Sequence, residues 1–481
     1  MKSEIKLNST YWLLGILIIS VGAYLRINEA IVNDLWYDEA FTGMTIRQSW
    51  SDVFQMMSHD WKHPPTFYSM VKFVTMVTGS TDPFHIRLVP LFFGILTIPL
   101  GYWLIQQLSL ATEDKKYLGL VTMSVLSFSP FFIRYSREAR SYSLLLFLML
   151  VAIIFFIKSS KNSFRFSRDL MIFTIILMII MMTHFLSILI VTGFFVAFVL
   201  LRMEENKTFY NTKLMKRVGV IALLGWLAIT WAWSTAHLEK ILEPLNPSFL
   251  LPRDLSIIPI TISDFLFNIP ENTHFLFSLF PGNLGFVILI ASVIAFIVVF
   301  QKSIDNRESV VDIIILTSLG FVPLIMDILA ASFGLRMYLP RYVIGYGTML
   351  IIWILYVWWR IANKQMLWII CVYFTLLFFV DRTPFTKYSE VISQISADST
   401  IAIGTPYDYV VFRYYLPKAK LMLLEKNDDV GYDPFVSAAT LVTKEDVMPG
   451  SLAVMYKEKP VPSTWKPKFD TSDFRVYEYA K

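Results

Sequence analysis

The amino-acid sequence predicts an α-helical polytopic membrane protein with a small soluble α/β domain at its C-terminus. Hydrophobic residues make up 56% and charged residues 16% of the 481 residues, which does not fit the surface chemistry of a soluble globular protein. A membrane span needs about 20 predominantly apolar residues, and about eleven such runs are present. They lie at 11–29, 84–106, 117–133, 141–157, 169–183, 185–201, 218–236, 284–300, 310–332, 342–359 and 366–380.

The charge and cysteine content exclude several other classes of protein. The formal net charge of +5 does not indicate nucleic-acid binding, because the Lys and Arg residues fall in short loops rather than on one basic face. Cys371 is the single cysteine and lies in a predicted span, so no intramolecular disulfide framework or cysteine-based metal site is expected. The first apolar run has the length of a span and no small-residue cleavage pattern follows it, which indicates an anchor.

Alternation of positive charge between loops predicts the orientation of the chain in the membrane. Lys and Arg are concentrated in the loops at 115–116, 158–168, 202–217, 302–307 and 360–364. We therefore expect a multi-pass plasma-membrane protein with a cytoplasmic N-terminus. The long loops 30–83 and 237–283 and the C-terminal domain would then be extracytoplasmic. Within them, 51–61 and 250–284 have the composition of interfacial helices.

The composition changes after Pro384, which divides the chain into a membrane domain, 1–383, and a soluble domain, 384–481. The soluble part predicts strands at 400–404, 421–424, 452–456 and 475–479, and a helix at 406–416 that begins at Thr405 or Pro406. The turn at 404–406 lacks the Gly-rich and Lys-Ser/Thr elements of a phosphate-binding loop. We therefore predict a small α/β domain without a nucleotide site.

Two adjacent acids, Asp38 and Glu39, follow the first predicted span directly, where the bilayer meets water. The same loop contains Asp60, and His63 precedes Pro64 and stands at the entry to the next apolar region. Solvated acids and an interfacial histidine are the alternative interpretation. The short outer turns add arginines, whose fork of donors matches a phosphate group; their alternative role is to reach lipid headgroups. These arginines are Arg134, Arg137, Arg140, Arg336 and Arg341.

Five motifs, in order, resemble those of the polytopic glycosyltransferases of GT-C fold. They are Trp36-Tyr37-Asp38-Glu39-Ala40, the His-Pro-Pro-x-x-Tyr segment at 63–68, and the segments 83–90, 136–144 and 340–342. The closest resemblance is to glycosyltransferase family 39, the protein O-mannosyltransferase-like group and its bacterial relatives, and it extends to about residue 380. In that family the acidic pair is catalytic and the sugar donor is a polyprenyl phosphate. The chain departs from the pattern at Ser141-Tyr142, where some relatives carry an Asp.

The resemblance implies transfer of a sugar from a polyprenyl-phosphate donor to an acceptor hydroxyl on the outer face, with inversion. Asp38 and Glu39 would be catalytic, with Asp38 the base. Substrate binding would involve the remaining candidates, Asp60, His63, Arg134, Arg137, Arg140 and Arg341. No cofactor is expected, although His63 and an acid could hold a divalent ion.

The partners and the alternative functions follow from the same features. Besides the donor and membrane lipids, the partner would be a glycan, lipid or protein acceptor, and the sequence does not choose among them. A transporter or flippase of lipid-linked glycans is the alternative function. It would show repeats between halves and buried intramembrane charge, but no repeat is visible and Asp327 is the main acid well inside a span. A non-catalytic scaffold would leave the two adjacent acids unexplained.

Overall fold

The computed structural model describes residues 2–59, 64–206, 255–267, 281–332 apart from 305, 338–366, Tyr373 and most of 386–479. Within 386–479 the segment 425–433 and scattered positions between 438 and 463 are left out. Helices dominate the membrane domain. They are α1 (Lys2–Val32), α2 (Tyr37–Arg47), α3 (Trp50–His59), α4 (Pro65–Thr78), α5 (Pro83–Ile86), α6 (Leu88–Gln107), α7 (Thr112–Phe128), α8 (Pro130–Arg137), α9 (Tyr142–Lys161), α10 (Arg168–Met181), α11 (Ser187–Asn206), α12 (Ile257–Phe267), α13 (Pro281–Ser303), α14 (Arg307–Ser332) and α15 (Ile344–Ala362).

Seven of the described helices are long and apolar enough to cross a membrane, namely α1, α6, α9, α11, α13, α14 and α15. They confirm the corresponding predicted spans. Helix α10 has 14 residues and ends before His184, so it is shorter than a typical span of about 20 residues. The predicted span at 218–236 lies outside the described residues, and so does nearly all of 366–380.

The span predicted at 117–133 is not one straight helix, because α7 and α8 meet at 58°. Pro130 begins α8 and has no N–H, so the carbonyl of Leu126 loses its helical donor. Arg26 of α1 replaces that donor: its Nη2 donates to the Leu126 carbonyl at 2.5 Å and its Nη1 to the Ser127 carbonyl at 2.8 Å. The cation thus caps the end of α7 and stabilises the break.

The segment between α1 and α6 is helical rather than an open loop. Helix α3 lies in the predicted amphipathic stretch; Val53 and Met57 are buried, while Trp50 and Phe54 on the adjacent part of the helix surface are exposed. Helix α12 lies within the other predicted interfacial region, but most of its side chains are buried. Residues 237–254 and 268–280 lie outside the described residues.

Loops predicted to share one side of the membrane meet at one end of the helical region. Lys161 Nζ donates to the carbonyl of Gln107 at 2.7 Å, and Lys115 Nζ to that of Gln106 at 3.3 Å. The backbone N–H of Ser109 donates to Asp312 at 2.6 Å. The positively charged side chains therefore cap the end of α6, and the acidic pair lies at the opposite end of the fold.

The C-terminal region forms a mixed six-stranded sheet with the order β3-β2-β1-β4-β6-β5. Strands β3, β2, β1 and β4 are parallel, and β6 runs antiparallel to β4 and β5. The elements are α16 (Tyr388–Ile392), β1 (Thr400–Ile403), α17 (Pro406–Tyr415), β2 (Lys420–Leu423), α18 (Pro434–Ser437), β3 (Thr440–Leu441), β4 (Leu452–Tyr456), β5 (Trp465–Asp470) and β6 (Phe474–Tyr479). All four predicted strands and the predicted helix are present, and the Thr405 hydroxyl accepts from the Asp408 N–H at 3.2 Å as the N-cap of α17.

Strand β5 is not predicted from the sequence, because its residues are typical of a loop. Lys466, Pro467 and Lys468 interrupt the apolar pattern, and a register irregularity falls between Pro467 and Phe469. Proline and lysine are tolerated here because β5 is an edge strand, where backbone N–H groups need no partner strand.

Candidate active site

Helix α2 begins immediately before the two acids and places them in different surroundings. Trp36 is extended, and its carbonyl accepts from the N–H groups of Glu39 and Ala40, which starts the helix. Acids in the first turn of a helix are favoured by its dipole. Because successive residues of a helix point about 100° apart, Asp38 and Glu39 face different partners.

Glu39 is engaged entirely by the protein. Arg87 donates to its two carboxylate oxygens, from Nε at 2.7 Å and from Nη2 at 2.6 Å, and both side chains are 0% exposed. The Ala139 N–H donates to the same carboxylate at 3.0 Å. Arg87 also donates to backbone carbonyls at Ala30, Asn33 and Asp34. This buried pair therefore ties α2 to the end of α1 and the start of α6.

Asp38 lies between two guanidinium groups and keeps some access to solvent. Arg140 Nη2 donates to Oδ1 at 3.2 Å, and Arg341 Nη2 lies 3.8 Å from Oδ2. The side chains of Asp38, Arg140 and Arg341 are 11%, 8% and 20% exposed. The structure thus joins residues from three distant parts of the sequence around one carboxylate.

The segment before α9 is positioned by α2 itself. Thr42 Oγ1 donates to the carbonyl of Ala139 at 2.9 Å. The N–H of Ala139 in turn donates to Glu39. Arg140 follows directly, and its Nη1 donates to the Tyr68 hydroxyl at 2.7 Å. Tyr68 belongs to the His-Pro-Pro-x-x-Tyr motif, so two of the sequence motifs meet at Arg140.

Aromatic side chains surround the two arginines. The Arg341 guanidinium lies 5.2 Å from the Trp36 ring centroid and 5.5 Å from that of Tyr342, within the range of cation–π contacts. Tyr342 also contacts His184, with ring centroids 5.5 Å apart. Burial lowers the pKa of His184 to about 3, so this imidazole is neutral at physiological pH. The positive charge beside Asp38 therefore comes from the arginines.

Two further candidate arginines pair with other carboxylates. Arg137 Nε lies 3.2 Å from Glu29, and Arg134 Nε donates to Glu138 at 3.2 Å. The three arginines of the 134–140 segment thus have three different carboxylate partners. Asp60 and His63 lie outside the described residues. Among the residues that are described, no group of three or more His, Cys, Asp or Glu side chains is placed to hold a metal ion.

An apolar cavity of about 470 Å³ lies between α4, α6, α9 and α10. Thr66 and Met70 line it from α4, Leu144 from α9 and Met178 from α10. Thr66 precedes Tyr68 by two residues and Leu144 follows Arg140 by four, so the segments that hold the polar cluster also form the cavity wall. Met178 is 49% exposed, which marks the side on which the cavity opens towards lipid. The apolar lining suits an acyl or isoprenoid chain rather than a polar ligand.

Comparison with known structures identifies the fold. The chain aligns with ArnT from Cupriavidus metallidurans in the apo state at a TM-score of 0.51 and 12% identity, over 98% of both chains. This is a GT-C fold. A second structure of ArnT, bound to undecaprenyl phosphate, aligns with a TM-score of 0.49 and 13% identity over 98% of both chains. The archaeal oligosaccharyltransferase AglB from Archaeoglobus fulgidus, in complex with an inhibitory peptide and a dolichol phosphate, gives 0.45 and 10%, over 86% of this chain and 64% of AglB. No family model and no curated protein matches the sequence.

Proposed function

We propose that the protein is a membrane glycosyltransferase that moves a sugar from a polyprenyl-phosphate donor to an acceptor hydroxyl. The observation that carries this proposal is Asp38, held between Arg140 and Arg341, together with an apolar cavity whose wall includes Thr66 and Leu144 of the neighbouring segments. A carboxylate, two cations and a lipid-sized cavity are the groups that this reaction needs. The GT-C fold shared with ArnT supports the proposal, and ArnT has been solved with undecaprenyl phosphate bound.

The chemistry assigns a task to each group. The leaving phosphate departs as an anion, so no general acid is required. Arg140 and Arg341 would stabilise the negative charge that develops on it, an effect worth several kcal/mol in an active site. Arg341 Nε has no hydrogen-bond partner among the described residues and remains available to a ligand.

Asp38 would accept the proton of the acceptor hydroxyl, a contribution of about 10²–10⁴ in rate. When the phosphate enters, the arginines would turn part of their donor set towards it and leave the carboxylate to the acceptor. Glu39 cannot share this task while Arg87 and Ala139 hold it. A single attack opposite the phosphate would invert the anomeric configuration, with no covalent sugar on the enzyme.

The lipid part of the donor would occupy the cavity between α4, α9 and α10. Its phosphate would then lie near Arg140, because Thr66 and Leu144 of the cavity wall stand close in sequence to Tyr68 and Arg140. The loop charges support a site on the outer face of the plasma membrane. The sugar is a hexose or pentose, and the acceptor is a glycan, lipid or protein.

Surface-glycan analysis tests this function in cells. In a deletion strain, mass spectrometry of the cell-envelope glycans and lipids should reveal one missing sugar. The identity of that sugar and the molecule that lacks it would identify the donor sugar and the acceptor. Re-expression of the wild type or of Asp52→Asn, an exposed acid on α3, should restore that sugar. Asp38→Asn, present in the membrane at normal amounts, should not. Full restoration by Asp38→Asn would contradict the proposal.

A further inference from the structure

We propose that the C-terminal domain is required for catalysis, because its helix α17 holds α2 in the position that presents Asp38. The inference rests on the proposed function for Asp38 and adds a role for a domain whose described residues make no ion pair with Asp38. Helix α2 has 11 residues, and an isolated helix shorter than about 12–15 residues is only marginally stable in water. Its position therefore depends on what packs against it.

Gly43, one turn after Glu39, packs against Tyr414 of α17. A Cβ at this position would lie 2.8 Å from Cδ2 of Tyr414 and closer still to Cε2. The Tyr414 ring thus rests directly on the backbone of α2. Glycine within a helix lowers the stability of that helix relative to alanine, so local helix propensity does not explain a glycine at position 43. Close packing against α17 does.

Tyr414 is itself held on several sides. Arg47, the last residue of α2, donates from Nη1 to the Tyr414 carbonyl at 3.0 Å, and its guanidinium lies 4.1 Å from the centroid of the ring. The Tyr414 hydroxyl donates to the carbonyl of Thr81, and Arg47 Nε donates to the Thr81 hydroxyl at 3.1 Å. The ring cannot move without disturbing the end of α2.

The turn that leads into α2 is attached to the same domain. The N–H of Leu35 donates to the Tyr415 hydroxyl at 3.0 Å, and the N–H of Ser389 donates to Asp34 at 2.8 Å. The rings of Tyr37 and Tyr407 meet edge to face at 5.1 Å. These contacts lie within four residues of Asp38, so they set the point at which the helix starts.

The membrane domain holds the other side of the helix. Buried Lys72 of α4 donates to the carbonyls of Ile46 at 2.9 Å and of Gln48, which are otherwise left open at the end of α2. The Glu39–Arg87 pair secures the first turn. Helix α2 is therefore clamped between the two domains, and Tyr414 and Tyr415 act as positioning residues.

The test combines a mutant cycle with hydrogen exchange on the full-length protein. In the wild-type background, Gly43→Ala should lower kcat about tenfold or more and leave KM for the donor within about threefold. In the Tyr414→Ala background the same substitution should change kcat less than twofold, because the ring that the new methyl group meets is gone. An equal loss in both backgrounds would overturn the proposal.

Hydrogen exchange separates this proposal from the proposed function, since it needs no substrate. The amides of residues 38–47 should exchange faster in Tyr414→Ala than in the wild type. Tyr477→Ala is the control, because Tyr477 is buried beside Trp465 in an apolar cluster of the sheet whose described members include no residue of α2. It should leave the exchange of α2 unchanged. Exchange of α2 at the wild-type rate in Tyr414→Ala would overturn the clamp whatever reaction the protein catalyses.

Discussion

At the scale of single residues, neighbouring acids have different partners because the helix separates their side chains. Glu39 gives both carboxylate oxygens to buried Arg87, whereas Asp38 meets two arginines that retain some solvent access. A buried ion pair contributes little net stability when intact, but removal of one partner is costly because the remaining charge stays buried. Glu39 is thus suited to hold the site and Asp38 to react in it.

This difference predicts the effect of Glu39→Gln. The substitution leaves the Arg87 guanidinium without its counter-charge in a fully buried position, and we expect a loss of about 3–5 kcal/mol in the free energy of unfolding. Thermal unfolding of the purified protein, followed by tryptophan fluorescence, would measure it. Glu113→Gln is the control, since its partner Lys116 is solvent-accessible and such exposed pairs contribute about 0–1 kcal/mol. Equal unfolding temperatures for the two variants would contradict a structural role for Glu39.

The arginines should separate into two groups in kinetic measurements. Arg140→Ala or Arg341→Ala removes a cation from the proposed phosphate site, and each should raise KM for the donor about tenfold, the equivalent of one charged hydrogen bond. Arg137→Ala should instead leave KM unchanged and lower the unfolding temperature, because Arg137 pairs with Glu29. Lys161→Ala at the opposite end of the fold should leave KM unchanged. A similar mild effect on KM in all four variants would mean that Arg140 and Arg341 serve only to anchor the protein in the membrane.

Sequence motifs identify candidate residues but not how those residues pair. Asp38, Arg140 and Arg341 were all recognised from motifs, and they meet in the structure. Arg87 also belongs to a motif, but its pairing with Glu39 joins residues 48 positions apart and leaves no local pattern. The same holds for Arg26, which sits in an apolar run and caps a helix about 100 residues away.

At the scale of secondary-structure elements, apolar composition and length predict the spans well. These two properties depend on local sequence alone. The break between α7 and α8 combines a local cause, Pro130, with a distant one, the cap from α1, and only the first can be read from the sequence. The apolar cavity is likewise a product of packing among α4, α6, α9 and α10.

Obstruction of that cavity gives a prediction for α10. Met178→Trp places an indole at the cavity rim, and we expect it to raise KM several-fold for a donor with a full-length polyprenyl chain but not for a short-chain analogue. Met171→Trp is the matched control, because Met171 lies two turns away on the same helix and is 48% exposed, as against 49% for Met178. An equal effect on both donors, or from both variants, would place the lipid chain elsewhere.

At the scale of the whole molecule, the order of the two domains follows from composition, whereas their docking does not. Gly43 and Tyr414 are more than 370 positions apart in the sequence. Only the folded structure shows that the Tyr414 ring leaves no room for a Cβ at position 43. The charge of the loops nevertheless predicts which end of the molecule faces outwards.

Chemical labelling tests that orientation. In a Cys371→Ser background, a cysteine at exposed Asp398 of the C-terminal domain should react with an impermeant thiol reagent added outside intact cells, or in the periplasm if an outer membrane is present. A cysteine at exposed Glu113, at the opposite end, should react only after lysis. The reverse pattern would place the site in the cytoplasm and contradict an outer-face enzyme.

Turnover of Asp38→Asn in proteoliposomes tests the central claim most directly. The wild-type protein is given the polyprenyl-phosphate sugar and the acceptor identified in the deletion strain, and the polyprenyl phosphate released is measured. Asp38→Asn keeps the shape of the side chain and removes its basicity, so we expect kcat to fall about 10²-fold or more, with KM for the donor within about threefold. An Asp38→Asn protein that turns over at the wild-type rate would remove this carboxylate from the mechanism and contradict the account.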